Sequence, residues 1–276
     1  MLNELKQRWV AGDHYQPEIQ QRIWDRMAQS YSERPIPSFA DNYFLQYIQQ
    51  ALPLTKELTT LDVGCGSGVY SMALAPRVGR AVGVDISPRM IEYANARKDD
   101  LGLDNTAFHC VDWSLADIDQ LEFRGAFDVV FAHMTPAIAD FDTFDKFNAC
   151  SRNLCLMEKP ARRADRMQDE VFRLIGIDRS EEQYHGSVLQ AFEYLWYQGY
   201  CPQFYYHDEV WNAEKTVEEM TAWCVDRAKL HKEQTAMDEK TISAYIAEQA
   251  VDGVVQEVTT TTKVTMVWRV KTHDHP

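Results

Sequence analysis

An apolar run at residues 58–63 that breaks into alternate glycines, Gly64, Gly66 and Gly68, constrains this chain more than any other feature. Glycine suits a backbone that turns with positive φ or that a ligand must approach closely. The residues before the turn read as a strand and those after it as a helix. The same alternation continues, with strands expected at 60–63, 81–84, 106–111, 127–132 and 153–157 and helices at 69–75, 88–98 and 143–151. Parallel neighbours need crossover connections, so this order implies an α/β fold, a doubly wound, mostly parallel sheet with helices on both faces. The helix at 88 carries a full set of start signals: Ser87 as N-cap, Pro88 at the first position and Ile86 placed to staple onto Ile91.

Asp85 closes the strand that follows the turn, 17 residues beyond Gly68. In such a sheet the carboxyl ends of neighbouring strands lie side by side, so an acid there can accept both hydroxyls of a ribose whose substituent lies over the glycines. A nucleoside ligand is the implication. A plain tight turn and a dinucleotide site are the rival readings. The dinucleotide fingerprint is GxGxxG, whereas this chain has GxGxG with Asp62 two residues before it.

Leu61-Asp62-Val63-Gly64-Cys65-Gly66-Ser67-Gly68, followed by Val82-Gly83-Val84-Asp85-Ile86-Ser87, resembles motifs I and II of the class I S-adenosylmethionine-dependent methyltransferases. Val111-Asp112-Trp113 and Phe127-Asp128-Val129-Val130 resemble the third-strand acid and the fourth strand of that family, so the likeness runs over about residues 58–157. One departure is Ser151-Arg152-Asn153 where the family has a Pro-Gly-Gly turn. The resemblance implies a seven-stranded Rossmann-like sheet with an antiparallel C-terminal hairpin, and S-adenosylmethionine as cofactor with S-adenosylhomocysteine as product. It assigns the turn Gly64-Cys65-Gly66-Ser67-Gly68 to the methionine part, with backbone offered by Gly64 and Gly66. Asp62 would orient the ammonium and Asp85 the ribose. Ile86 would press on the adenine, Asp112 would take its amino group and Trp113 would enclose the ring; ordinary core packing is the alternative for Ile86 and Trp113.

Flanking segments suggest three parts of one continuous domain: a helical lid at 1–52, the cofactor-binding core at 53–160, and a substrate side at 161–276. Helices are expected at 16–31 and 39–51, the second opened by Ser38 with Asp41 three residues on. Within the first, Trp24 to Tyr31 resembles the segment that small-molecule members of the family fold over the cofactor. Tyr31 is the candidate for closing the site, with helix packing as the alternative. Beyond residue 160, helices are expected at 161–174, 187–197, 217–230 and 239–251 and a strand at 203–210. Two β-rich runs flanking Thr261-Thr262-Lys263 within 254–270 suggest a terminal hairpin. Eight aromatic residues between Phe192 and Tyr206 suggest either a pocket wall or packing on the sheet.

Methyl transfer from a sulfonium needs positioning and exclusion of water, and a general base only when the acceptor is protonated at neutral pH. His133, at the carboxyl end of the fourth strand, is the candidate base; a histidine bonded to backbone or lining the methionine slot is the alternative. Asp140 and Asp142 suggest a helix cap before Thr143 rather than a metal site, and no metal is expected. The chain has 28 Lys+Arg against 42 Asp+Glu, a formal charge of −14, which disfavours nucleic acid as partner. The N-terminus carries charges, and no run reaches about 18 apolar residues. The six cysteines form no CxxC pair. These point to a cytoplasmic protein with free thiols, no membrane contact and a small-molecule acceptor. Protein or RNA methylation, a non-catalytic S-adenosylmethionine-binding module and, more remotely, an NAD-dependent oxidoreductase are the alternatives.

Overall fold

The computed structural model describes residues 1–11, 16–178 and 186–270; residues 271–276 of the expected substrate side, with 12–15 and 179–185, lie outside the described residues. The strands are β1 (Thr59–Val63), β2 (Arg80–Asp85), β3 (Thr106–Cys110), β4 (Phe127–His133), β5 (Ser151–Asp165), β6 (Gln203–Thr216) and β7 (Val254–Arg269). They form one sheet in the order β3-β2-β1-β4-β5-β7-β6. The five strands from β3 to β5 run parallel, and β7 pairs antiparallel with both β5 and β6. Strand order reverses between β1 and β4, and in open α/β sheets the crevice at such a switch point is where ligands sit.

Ten helices accompany the strands among the described residues: α1 (Leu2–Arg8), α2 (Pro17–Ser32), α3 (Tyr43–Ala51), α4 (Val69–Leu74), α5 (Pro88–Asp100), α6 (Phe141–Cys150), α7 (Arg166–Leu174), α8 (Gly186–Tyr197), α9 (Val217–Lys229) and α10 (Ala236–Gln249). Alternate residues of a strand point to opposite faces, so each face gathers its own core. Leu61, Val63, Val130 and Trp268 pack on one side with Phe144 and Phe147 of α6, Tyr194 of α8 and Leu5 of α1. Val129, Phe131, Leu154 and Leu156 pack on the other with Phe44, Leu45 and Ile48 of α3. A third cluster joins α7, α9 and α10 to Val255 of β7. None of the helices among the described residues is long and apolar enough to cross a membrane.

Three expectations need correction. The helix expected from residue 39 begins at Tyr43, because the Asn42 side chain caps it by accepting the Leu45 N–H at 3.0 Å. Ser38 instead bonds Asp41 at 2.8 Å within the turn before it. The helix expected over 161–174 starts only at Arg166, with Asp165 as its cap. Residues before it extend β5 through Asp165, because Arg162–Asp165 find ladder partners in Thr259–Thr262 of β7. Pairing with a long neighbour overrides local helix propensity there. The antiparallel C-terminal pairing exists, but between β6 and β7; residues 254–269 make one strand with no turn at 261–263. Shorter revisions follow the same logic. β6 runs on to Thr216, and α10 opens at Ala236 with a Thr235–Asp238 capping box. α1, not foreseen, is held by buried Leu5 and Trp9, whose indole lies 5.3 Å from the Phe144 ring.

Thr262 pairs on one side with Arg162 and on the other with Asp208. A proline there should remove a ladder bond from a strand paired on both edges, costing about 2 kcal/mol or more. Urea denaturation of Thr262→Pro checks this; an unchanged midpoint would place a tolerant turn at 261–263 after all.

Candidate functional site

The glycine turn leaves β1 at the switch point and is fastened from below. The N–H groups of Gly64 and Cys65 both donate to the Val84 carbonyl, at 2.8 and 3.0 Å. The Asp85 carboxylate accepts the Gly66 N–H at 2.8 Å through one oxygen and the Ser87 N–H at 2.9 Å through the other. Glycine is required at 64, where φ is +74° and an added Cβ would lie 2.0 Å from the Thr135 hydroxyl oxygen. At Gly66, where φ is +54°, such a Cβ would make only ordinary contacts, 3.8 and 3.9 Å from Tyr31 and Met90. Gly68, also at positive φ, is the N-cap of α4. Burial raises the Asp85 carboxyl above the ordinary range, against the pull of the N–H bonds from Ser87, Gly66 and Ile86. Asp62 is buried behind the turn and accepts the Ser71 hydroxyl at 3.1 Å. Its burial, eased by that bond and reinforced by the charge of Asp85, pushes its carboxyl up to about 8. The Cys65 thiol is also pushed up by burial, and all six cysteines are free.

Helix α2 is bonded onto this turn. The Ser87 hydroxyl, which caps α5 by accepting the Met90 N–H, donates to Asp25 at 2.5 Å. Ser67 donates to the Tyr31 carbonyl at 2.8 Å, and Arg97 reaches the carbonyls of Ser32 and Arg34. The sequence-predicted residues Tyr31, Asp62, Gly64, Cys65, Gly66, Gly68, Asp85 and half-buried Ile86 therefore stand around one turn. Asp112 lies just past β3, where it accepts the N–H and hydroxyl of Ser114. Trp113 lies in the α6-side core instead, buried, with its indole N–H donated to the Thr143 carbonyl at 3.0 Å.

His133 ends β4 on the face covered by α3 and α4. Register sets Glu158 of β5 directly opposite it and Thr265 of β7 opposite Glu158. His133 Nε2 lies 3.0 Å from the Tyr70 hydroxyl and 3.1 Å from a Glu158 oxygen. Glu158 is fully buried, and it accepts the hydroxyls of Thr265 at 2.6 Å and Tyr43 at 3.3 Å. Lys263 lies 3.4 Å from the same carboxylate and 2.5 Å from Glu209. Burial alone would raise the Glu158 carboxyl, but the bond to His133 and the charges of His133 and Lys263 outweigh it and bring it down to about 2. Tyr43 stacks on His207 at 3.6 Å, which seats α3 over this group.

The sequence reading missed Glu158, Tyr70 and Lys263. Glu158 did leave a signal: Glu158-Lys159 breaks the apolar run 154–157 at the same sheet edge as Asp85 and His133. Other acids take structural places. Asp140 caps α6 with Thr143, Asp142 pairs with Lys6, and Asp128 sits at the opposite edge against Arg152. The aromatic residues after Phe192 divide between faces: Phe204 packs near Phe192, whereas Tyr205 stacks on Tyr47.

A family model described as a methyltransferase domain matches residues 54–257. Human tRNA (uracil-5-)-methyltransferase homolog A is 40% identical over 63 residues, 23% of this chain but only 10% of that protein. Among solved structures, the phosphoethanolamine N-methyltransferase 2 of Haemonchus contortus, in complex with phosphomonomethylethanolamine and S-adenosylhomocysteine, aligns with a TM-score of 0.54 and 14% identity, over 91% of this chain and 60% of that one. The geranyl diphosphate C-methyltransferase of Streptomyces coelicolor, in complex with Mg2+, geranyl diphosphate and S-adenosylhomocysteine, aligns with a TM-score of 0.50 and 13% identity, over 93% and 99% of the two chains. At these identities the likeness is one of fold.

Because the Glu158 carboxyl is depressed to about 2, the stability it contributes is present above the unfolded-state pKa and lost as pH falls through the folded one. Wild-type protein should lose on the order of 3 kcal/mol between about pH 5 and pH 2 through this group, and Glu158→Gln should lack that component. Chemical denaturation across this range checks it; parallel profiles for the two proteins would contradict the burial of a charged Glu158.

Proposed function

Because this chain belongs to the class I S-adenosylmethionine-dependent methyltransferases, we propose that it transfers a methyl group to a small molecule held between the glycine turn and the His133–Glu158 pair. The observation that carries this reading is enclosure. Helix α2 is bonded to the turn through Ser67 and to the Asp85 strand end through Asp25 and Ser87, and Arg26 joins it to Asp226 of α9 at 2.9 Å. A macromolecular acceptor needs an open groove beside the reacting atom, and the net charge of −14 repels nucleic acid. The two solved structures described above are complexes of a small molecule, phosphomonomethylethanolamine or geranyl diphosphate, with S-adenosylhomocysteine, which supports the same reading.

In this proposal Gly64, Cys65, Gly66 and Gly68 hold the methionine part, Asp62 its ammonium, Asp85 the ribose, and Ile86 and Asp112 the adenine, while Tyr31 closes the turn. The residues present fit such a group: a turn at positive φ through Gly64, Gly66 and Gly68, and a carboxylate fixed at the neighbouring strand end. Bound there, the cofactor supplies a methyl on a cationic sulfur. His133 takes the proton that the acceptor atom sheds. Its Nε2 is occupied by Tyr70 and Glu158, which leaves Nδ1 for the acceptor. Glu158, held by Thr265, Tyr43 and Lys263, keeps the imidazole from turning.

S-Adenosylhomocysteine should raise the melting temperature of the wild-type protein, and Asp85→Ala should remove most of that rise. His133→Asn should lower turnover by about 10²- to 10⁴-fold while leaving S-adenosylhomocysteine affinity unchanged. Labelled methyl from S-adenosylmethionine, incubated with cell extract, should appear in the low-molecular-weight fraction. Label in precipitable RNA or protein would overturn the small-molecule reading, and label in no fraction would favour a non-catalytic module.

A further inference from the structure

Next to Glu158, on the opposite face of β5, Lys159 is buried at 7% exposure. Among the described residues no carboxylate pairs with it. Its ammonium donates instead to two backbone carbonyls of the segment that leaves β4, Thr135 at 2.6 Å and Ile138 at 2.7 Å. Lysine is an expensive residue to bury this way, because the charged form loses hydration with no opposite charge to replace it. Burial pushes its pKa down to about 7. Packing alone would be served by methionine or leucine. What only the amine supplies is a pair of N–H donors that fix the segment's carbonyls.

That segment is shaped at every step. Met134 takes a positive φ of 52° and gives its N–H to the Glu158 carbonyl at 3.0 Å. The Thr135 hydroxyl accepts the Ala137 N–H at 3.1 Å. The Thr135 side chain then occupies the space beside Gly64, with its oxygen, Cβ and methyl 2.0, 2.6 and 2.9 Å from where a Gly64 Cβ would stand. Gly64 is thereby gripped between the Val84 carbonyl, which takes its N–H at 2.8 Å, and the side chain of Thr135. Close-packed groups of this kind cannot shift independently. Any movement of the Thr135 carbonyl reaches the glycine turn.

We propose that Lys159 is a positioning residue for the cofactor: by tethering Thr135 it sets the shape of the glycine turn at Gly64. It touches neither cofactor nor acceptor and acts through the loop. The proposal rests on the assignment of that turn to S-adenosylmethionine and adds a residue on a different strand, two strands away from the turn.

The test measures S-adenosylhomocysteine affinity by calorimetry well below the melting temperature, beside thermal unfolding without ligand. Lys159→Met keeps the length of the side chain and removes the donors; it should raise Kd about tenfold. Thr135→Ala should raise it to a similar degree. The double variant should bind no more weakly than the weaker single, since both changes break one connection. A Kd for Lys159→Met within twofold of wild type, even with a lowered melting temperature, would reduce the lysine to a structural role and overturn the proposal. Multiplying losses in the double variant would also overturn it. Should Lys159→Met not fold, Lys159→Gln takes its place, with a raised Kd expected and a wild-type Kd counting against the tether. Wild-type protein that binds no S-adenosylhomocysteine would overturn the cofactor assignment itself, and the tether with it.

Discussion

The Asp85 carboxylate, with the peptide N–H groups it gathers, is the interaction on which the crevice depends. One oxygen accepts Gly66 from the turn after β1, and the other accepts Ser87 from the start of α5. A carboxylate this enclosed loses hydration, and charge-assisted bonds from backbone donors are what offset the loss. The consequence is mechanical as well as electrostatic. Ser87 also caps α5 and reaches Asp25 of α2, so one acid links two strand ends, a helix start and the helix that covers them. The orientation of the carboxylate is thereby set within the folded chain itself.

The sheet edge beside it follows from strand polarity. Parallel strands bring their carboxyl ends to one side of the sheet, which is why Asp62, Asp85 and His133 share an edge although the chain separates them widely. The antiparallel addition of β7 supplies what a parallel sheet alone would lack. Thr265 and Lys263 reach Glu158 from the far side. Glu158 is thus surrounded by donors rather than left as an isolated buried charge, and a satisfied network of this kind holds its members in fixed orientation. A one-residue slip between β5 and β7 would turn every one of these side chains to the other face.

The two neighbours Glu158 and Lys159 show how a strand uses its two faces for different tasks. Glu158 points toward α3 and steadies His133; Lys159 points away and steadies the loop after β4. Both stabilise structure next to the crevice with groups that are costly to bury. The long ends of β5, β6 and β7 then continue beyond the parallel part and carry α7, α9 and α10, from which Asp226 reaches back to α2. The C-terminal helices and α2 are joined in this way.

Sequence by itself determined what depends on near neighbours. The glycine turn, the strand–helix alternation, the acid at residue 85 and the Ser87 cap are written in spacings of a few residues, and each was found where the local rules place it. The start of α3 was misread because Ser38 and Asn42 are both competent caps, and only the folded turn assigns Ser38 to Asp41. Tertiary structure alone decided the rest. The helix-like residues before Asp165 became strand because β7 offered partners, and Thr261-Thr262-Lys263 stayed extended because it is paired on both sides. Trp113 went to the core once α6 covered it. The role of Glu158 depends on His133 and Thr265, residues brought opposite it by register across three strands. Periodicity and capping act over one turn of chain, whereas cross-strand register and burial are properties of the assembled sheet.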